Sequence, residues 1–253
     1  MFTQHLPGTE TRLGPGDTFP FSCHSKLACF NTCCRNKHLP LTPYDVLRLK
    51  HALGISSDAF LERYALYWTD PETGFPSLCL RMGEEPERAC PFVSAEGCRV
   101  YDGRPTACRL YPLGRAVGRD SKGKSPKPFF FLMDTPGCLG RKEPRVQRVE
   151  EWEREQGLRP YVGMNDRMLD IVYHPGRDPR RPLDQGQVQK VMVACYNLDV
   201  FREFAGKTRL AERLPLDANL RAEWTSSETA LLELGMAYLE RALFPGPDGN
   251  ENP

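Results

Sequence analysis

The residues with the clearest chemistry in this chain are cysteines, and four of them lie close together near its start. Cys23, Cys29, Cys33 and Cys34 fall within a stretch of twelve residues. The thiolate form of cysteine binds soft metals, and several thiolates held close together repel one another unless a cation neutralises them. A chain of 253 residues can build a core without metal support. The cluster therefore predicts a metal or iron–sulfur site.

Six further cysteines follow downstream, and three of them, Cys90, Cys98 and Cys108, lie in the stretch 83–115, which is rich in proline and glycine. Cysteines on such loops can converge on a metal because their backbone belongs to no regular ladder of hydrogen bonds. Cys79, on a strand-like segment, and Cys195, on an apolar helix face, are instead predicted to be buried thiols. The predicted metal ligands are Cys23, Cys29, Cys33, Cys34, Cys90, Cys98, Cys108 and Cys138.

The spacing of these cysteines does not identify the metal by itself. Only Cys29 and Cys33 have the separation typical of a zinc knuckle. A radical-type Cys-x3-Cys-x2-Cys motif would need a cysteine where Asn36 stands, and the bacterial ferredoxin run is also absent. The dispersed pattern is at least as compatible with an iron–sulfur cluster. We expect a 4Fe-4S cluster or iron as the cofactor, with zinc as the alternative.

The adjacent pair Cys33 and Cys34 bears on the number of sites. Side chains of neighbouring residues diverge strongly in an extended chain, so both thiolates reach one small metal only with an unusual backbone. Eight cysteines divide evenly into two sites of four ligands. A single site with spare structural thiols remains the alternative.

Composition and charge exclude several classes of function. The formal net charge is +1 and the pI is about 7.5, so no global field favours nucleic acid or a membrane surface. The first residues lack the pattern of a secretory signal, and the longest apolar run, residues 129–133, is too short to span a bilayer. We expect a cytoplasmic protein, where a reducing environment favours metal ligation over disulfides.

The pattern of apolar residues predicts an α+β protein that is mostly helical, with short strands and an irregular cysteine-rich region. Thr42 and Gly54 bracket a first helix, and a second is expected from Ser57 to Trp68. Strands are expected at 78–82 and 129–133, the latter following a hairpin or surface loop at 118–128. Further helices are expected at 145–156, at 162–173, along one face from 188 to 201, and from the capping-box residue Thr225. The predicted organisation is an extended lead-in at 1–20, a cysteine-cluster metal-binding domain at 21–174, a helical region at 184–244 and a disordered tail at 245–253.

Several segments of the chain resemble the YkgJ-type cysteine-cluster family, described as a zinc- or iron-chelating domain. The resemblance covers about residues 20–140, although the family motif Cys-x2-Cys-x2-Cys-Cys has shorter gaps before Cys29 and Cys33 than this chain has. The segments that carry it are Cys23 to Arg35, Leu41 to Val46, Cys90 to Phe92, Gly97 to Tyr101 and Arg104 to Pro112.

This resemblance implies a function that the cysteines alone do not. The same domain occurs in flagellin lysine N-methylases, so a metal-binding protein that modifies a protein substrate by methyl transfer is one expectation. The chain has no Gly-x-Gly-x-x-Gly after a strand, so a Rossmann-type methyl-donor pocket has no support. A non-catalytic zinc-stabilised interaction module and a metal-handling protein are the alternatives. No residue grouping identifies a catalytic site.

Two arginines beside Cys108 are candidates for support of the cofactor. Arg104 and Arg109 could donate hydrogen bonds or positive charge that stabilise thiolates. The alternative is that they form surface ion pairs with Asp102 or Glu96. His24 is a reserve ligand because it adjoins Cys23, and Tyr111 is expected to pack in the core with a satisfied hydroxyl.

Overall fold

The computed structural model describes residues 12–71, 73–118, 127–133, 135–178 and 181–244. In these residues helices predominate and the strands form small antiparallel sheets, which confirms an α+β fold with a helical C-terminal part. The α-helices are α1 Pro43–Leu53, α2 Ser57–Tyr64, α3 Thr106–Leu110, α4 Val149–Glu155, α5 Arg159–Val172, α6 Gln185–Val191, α7 Leu198–Thr208, α8 Leu210–Arg213, α9 Ala218–Glu223 and α10 Glu228–Leu243. The strands are β1 Arg12–Leu13, β2 Thr18–Pro20, β3 Pro40–Leu41, β4 Ala65–Thr69, β5 Pro76–Leu80, β6 Val93–Ser94, β7 Gly97–Cys98, β8 Leu113–Gly118, β9 Lys127–Leu132 and β10 Val146–Arg148.

Helix α1 begins and ends where the sequence predicts. The Thr42 hydroxyl accepts a hydrogen bond from the Asp45 amide at 3.2 Å, and the Asp45 carboxylate accepts one from the Thr42 amide at 2.9 Å. Pro43 occupies the first turn, and Gly54 ends the helix in the left-handed conformation at φ 64°. This reciprocal capping fixes the start of α1, which lies beside the cysteine-rich region.

The sheet β3–β5–β4 packs beside α1 and α2. Every residue of β5 is buried, and the strand predicted at 78–82 lies two residues earlier, at 76–80. The helix predicted to run to Trp68 instead ends at Tyr64, and residues 65–69 form β4. Pairing of all five β4 residues with β5 satisfies backbone groups that a longer helix would have bonded internally. Tyr67, Trp68 and Thr69 also have high strand propensity, so the tertiary pairing and local preference agree.

A second group of strands builds the sheet β1–β9–β8 and the pair β2–β10. Strands β8 and β9 form the predicted hairpin, whose tip, 119–126, lies outside the described residues. A side chain at Gly114 would meet the Phe131 ring, since its Cβ would lie 2.2 Å from a ring carbon. The predicted helix at 145–156 starts only at Val149, because residues 146–148 pair with β2. The lead-in predicted at 1–20 therefore contains paired strands where it is described.

The C-terminal helices differ from the prediction at two points. The single helix predicted across 188–201 is divided into α6, a π-helical turn Met192–Tyr196 and α7. Gly235 of α10 lies directly against this turn, where a Cβ would approach the Ala194 carbonyl oxygen to 2.1 Å. Asn197 then caps α7 in a non-helical conformation. The last helix starts at Glu228, capped by the Ser227 hydroxyl rather than by Thr225.

Two apolar cores hold these elements together, and the cysteine-rich region lies against both. The main core combines side chains of α1, α5, β5, α7 and α10. Cys90 and Cys98 pack against it. The smaller core is formed by Phe19, Phe21, Leu110, Leu113, Phe130, Val149, Trp152 and Leu158. Cys138 packs against this second core.

The C-terminal helices share the main core with α1, and the division into domains at 174–184 stays a prediction. The tail predicted to be disordered at 245–253 lies outside the described residues. None of the described helices has both the length and the apolar character needed to cross a membrane.

Candidate metal centre

The ten cysteines are all free thiols and divide into two kinds by exposure. Cys79 and Cys195 are buried, as predicted. The Cys79 sulfur lies 3.2 Å from His38 Nε2, and burial raises the pKa of Cys79 to about 11. The eight predicted ligands are instead partly or fully exposed, so their sulfur atoms are accessible to metal.

A first set of four cysteines gathers where the N-terminal cysteine loop, residues 22–37, meets the turn at 135–140. The amide of Ser22 donates a hydrogen bond to the Gly140 carbonyl at 3.0 Å, and the Leu139 amide donates one to the Cys29 sulfur at 3.3 Å. Burial, followed by the neighbouring thiols of this set, raises the pKa of Cys23 to about 11. We call these residues the first set: Cys23, Cys29, Cys33 and Cys138.

A second set gathers around the β6–β7 hairpin. The amide of Cys90 donates a hydrogen bond to the Cys34 carbonyl at 2.8 Å, and Cys98 pairs with Val93 across the hairpin. Cys108 is exposed to solvent. Burial, followed by the neighbouring thiols, raises the pKa of Cys108. We call these residues the second set: Cys34, Cys90, Cys98 and Cys108.

The adjacent cysteines stand at the junction of the two sets. They end a short 3-10 turn, Thr32–Cys34, that follows Asn31 in the left-handed conformation at φ 66°. The Asn31 side chain anchors this turn by donating to the Ser94 carbonyl at 2.9 Å. A hydrogen bond with Cys34 lowers the pKa of Cys33, and the same bond, followed by burial, raises the pKa of Cys34.

Helix α3 carries Cys108 and is fixed to α1 through a buried carboxylate. One oxygen of Asp45 accepts from both the amide and the hydroxyl of Thr106, each at 2.7 Å. The Asn165 side chain of α5 donates to the same hydroxyl at 3.2 Å. The start of α3 is thus held from two sides.

Both predicted supporting arginines are buried, with exposed fractions of 8% for Arg104 and 7% for Arg109. Arg109 donates to the backbone carbonyls of Arg104 at 3.1 Å and Gln156 at 2.6 Å, and also to that of Asp102. Arg104 donates to the Tyr101 carbonyl at 2.6 Å and stacks on that ring at 3.7 Å. Both guanidinium groups therefore make buried contacts, rather than the surface ion pairs with Asp102 or Glu96 that were the alternative.

The charge of Arg104 also lies near the second set. Burial lowers the pKa of Arg104, and the nearby thiols of Cys98 and Cys108 act to raise it. The contacts of Arg109 are with backbone and with the Tyr161 ring at 4.4 Å. A role for either arginine in supporting a bound metal stays a prediction.

Two further residues, His24 and Tyr111, lie near the first set, and neither was a leading candidate on sequence grounds. His24 Nε2 lies 3.3 Å from the Glu143 carboxylate, while its buried Nδ1 has no hydrogen-bond partner among the described residues. A carboxylate behind an imidazole is the usual support of a metal-bound histidine. The Tyr111 hydroxyl is buried beside Cys138 without a hydrogen bond of ordinary geometry, contrary to the expected satisfied hydroxyl. Burial, followed by Cys138, raises the pKa of Tyr111.

The sulfur atoms within each set lie near one another but are not arranged as the ligands of a metal ion. Across the described residues, no three or more histidine, cysteine, aspartate or glutamate side chains are grouped so that they could hold a metal ion as they stand. The donor chemistry nevertheless fits soft metals, since all eight accessible donors are thiols.

The chain matches a known family model over part of its length. Residues 22–129 match the family model CxxCxxCC, whose description reads "Putative zinc- or iron-chelating domain". The matched range contains seven of the eight predicted ligands and ends before Cys138. Searches among curated proteins and among solved structures gave no match.

Proposed function

We propose that this protein binds iron or zinc through its eight clustered cysteines, since residues 22–129 match the family model of a zinc- or iron-chelating domain. The observation that carries the proposal is the convergence of thiols from four separate parts of the chain. Residues as distant as Cys29 and Leu139 are in hydrogen-bond contact, and so are Cys34 and Cys90. The remaining two cysteines, Cys79 and Cys195, are buried.

Metal binding would bring the cysteine sulfur atoms closer together than they lie in the structure. A zinc–thiolate bond is about 2.3 Å long, so four sulfur atoms around one ion form a compact tetrahedron. The N-terminal cysteine loop can supply this movement, because a small number of hydrogen bonds anchor it and most of its side chains are exposed or half-buried. The metal then acts as a staple between the loop and the two cores.

An iron–sulfur cluster is the cofactor we favour, with mononuclear zinc as the second candidate. The long gaps between the cysteines support the cluster, because they do not follow the paired spacing of zinc knuckles. The 4Fe-4S form is ligated by four cysteines, which is the number in each set. A zinc-stabilised interaction module would use the same thiols and carry out no reaction.

We extend this proposal to a protein substrate and a reducing, cytoplasmic setting. Free thiols at this density favour a reducing compartment. Protein modification of the lysine N-methylase type is supported by the family resemblance alone. Incubation with a labelled methyl donor and a lysine-rich protein tests it, and absence of transfer by metal-loaded protein removes the activity from the proposal.

Metal and acid-labile sulfide analysis of anaerobically purified protein, with its visible spectrum, tests the cofactor. We expect iron and sulfide in equal amounts and a broad absorption in the visible range. Stoichiometric zinc without sulfide would replace the cluster by zinc. Protein that binds neither metal after incubation with Zn²⁺, or with Fe²⁺ and sulfide, would overturn the proposed function.

A further inference from the structure

We propose that His24 supplies a nitrogen ligand to the bound metal through its Nδ1 atom, and that Glu143 positions the ring for this role. The inference rests on the proposed function, because it adds a donor to the metal site that the cysteines form. It changes the chemistry of that site from sulfur alone to sulfur and nitrogen.

The contact between His24 and Glu143 determines which ring nitrogen is available to a metal. Nε2 of His24 lies 3.3 Å from a carboxylate oxygen of Glu143. A carboxylate only accepts hydrogen bonds, so Nε2 carries the hydrogen in this contact. In the neutral ring the lone pair then lies on Nδ1, and this is the form of the nitrogen that binds metals.

The Nδ1 atom of His24 is buried and has no hydrogen-bond partner within the described part of the chain. The side chain as a whole is 41% exposed, so the ring is accessible from outside while this atom faces the protein. A buried polar atom without a partner costs free energy, and a missing ion is one of the few explanations for it. A metal at Nδ1 would supply the partner.

One backbone carbonyl joins the two segments that hold the ring. The Gly140 carbonyl accepts from the Ser22 amide at 3.0 Å and from the Glu143 amide at 3.4 Å. A Cβ at Gly140 would lie 2.7 Å from the Ser22 carbonyl oxygen, so the segments approach each other as closely as glycine allows. His24 follows shortly after Ser22, and its ring therefore meets the Glu143 carboxylate at a fixed junction.

Cysteine thiols belong to the same junction. Cys138 directly precedes the 3-10 turn Leu139–Lys142, and Glu143 directly follows it. The Leu139 amide donates a hydrogen bond to the Cys29 sulfur at 3.3 Å. The turn that carries the supporting carboxylate thus also carries one predicted ligand and contacts another.

A histidine beside thiols suits both metals of the proposed function. Three cysteines and one histidine form a common closed zinc site, and histidine also replaces cysteine on some iron–sulfur clusters. A metal-bound histidine usually donates its other ring hydrogen to a carboxylate or a carbonyl, as His24 does to Glu143. The described histidine and cysteine side chains do not yet form a ligand group, so His24 engages the metal as the loop thiols close on it.

Nitrogen-15 NMR of histidine-labelled wild-type protein tests the ligand role with Zn²⁺ as the probe. His24→Gln assigns the His24 signals. We expect Zn²⁺ to move the Nδ1 signal of His24 to the range of a metal-bound nitrogen, with the hydrogen retained on Nε2. The internal control is His51, whose Nε2 contacts the Glu228 carboxylate in the same way and whose signals should not change. Uptake of Zn²⁺ with unchanged His24 signals would overturn the inference and leave metal binding intact.

Metal affinity in matched variants provides a second test, with zinc or with iron and sulfide, whichever the wild type takes up. His24→Gln and Glu143→Ala should each lower the affinity by about 10–100-fold, and Glu143→Gln, whose amide oxygen still accepts from Nε2, should retain most of it. His51→Gln breaks the corresponding pair with Glu228 and should leave the affinity unchanged. Equal affinities of His24→Gln and His51→Gln would contradict the ligand role. Wild-type protein that takes up neither metal would instead refute the proposed function.

Discussion

One carboxylate oxygen of Asp45 accepts two hydrogen bonds from Thr106, from its amide and its hydroxyl, each 2.7 Å long. Asp45 belongs to the capping box of α1, and Thr106 starts the helix that carries Cys108. The cap of one helix is therefore also the anchor of the cysteine-bearing helix. The side chain is fully buried at an exposed fraction of 0%, and burial raises its pKa.

Asp45→Asn is expected to destabilise the protein by about 1–3 kcal/mol, because the amide nitrogen of Asn faces the Thr42 or Thr106 amide with no acceptor to offer. Displacement of α3 should also weaken metal binding at Cys108. Urea unfolding and zinc competition titration measure the two effects. The control is Asp170→Asn at an exposed position of α5, expected to change stability by less than about 0.5 kcal/mol. Equal stability of the two variants would contradict the anchoring role.

Arg109→Lys is expected to lower stability by about 2–3 kcal/mol, since lysine cannot reproduce the fork that reaches three backbone carbonyls. The matched control is Arg145→Lys, where an exposed arginine pairs with Glu155 at 2.8 Å, and a change below about 1 kcal/mol is expected. Denaturant midpoints of the metal-free proteins provide the comparison. If both substitutions cost the same, Arg109 does not hold the backbone around α3.

Chelation is expected to expose the N-terminal cysteine loop to trypsin. Lys26 and Lys37 are exposed in this loop, and bound metal would restrain it by tying its thiols to both cores. Cleavage after these lysines should be several-fold faster in chelator than in zinc. The same digestion of Cys108→Ser and Cys34→Ser gives the reference in which the second set is incomplete. Identical digestion of the wild type with and without chelator would show that the metal does not restrain the loop.

Acid is expected to destabilise the helical part through the buried Lys50. Its ammonium group, 4% exposed as a residue, donates to Glu228 at 2.8 Å and to Asp199 at 3.4 Å. Burial acts to raise the pKa of Glu228, but bonds from Lys50 and His51 outweigh it and lower the pKa. The Asp199 pKa is also lowered, since burial is outweighed by the Ser57 amide and by Lys50.

A carboxyl whose pKa is lower in the folded state stabilises the fold above its unfolded value, about 4.3 for Glu, and this contribution is lost as the pH falls. Stability should therefore decrease from about pH 5 downward. Glu228→Gln should reduce this decrease, whereas Glu203→Gln on the exposed face of α7 should not. Urea midpoints between pH 7 and pH 3 decide the matter, and parallel curves for wild type and Glu228→Gln would refute the assignment.

Local signals in the sequence predict the parts of the fold that depend on neighbouring residues. The cap at Thr42 and the stop at Gly54 need no tertiary information, and both are confirmed. The strand predicted at 78–82 from alternating residues is present two residues earlier, at 76–80. The strand at Ala65–Thr69 depends on a partner, β5, and the sequence favoured continuing the helix. The π-helical turn at Met192–Tyr196 lies within the apolar pattern from 188 to 201 that predicted a single helix, so this pattern did not reveal it.

The candidate site, too, is predicted by the sequence only where it depends on local residues and not where it depends on tertiary contacts. Residue type and spacing separate the eight accessible cysteines from Cys79 and Cys195. The neighbours of each thiol depend on contacts across more than a hundred residues, such as the one between Cys29 and Leu139, so the sequence left one site or two open. No local pattern marked the buried Tyr111 hydroxyl beside Cys138.

The most direct test of metal binding by the clustered cysteines is the metal content of three proteins purified anaerobically under identical conditions. Each variant, Cys108→Ser or Cys195→Ser, lacks one sulfur atom that the wild type has. Cys108 is exposed and belongs to the second set, whereas Cys195 is buried in the main core. We predict that Cys108→Ser contains less iron or zinc than the wild type and that Cys195→Ser contains as much as the wild type. Equal metal in all three proteins, or equal loss from both variants, would contradict the account.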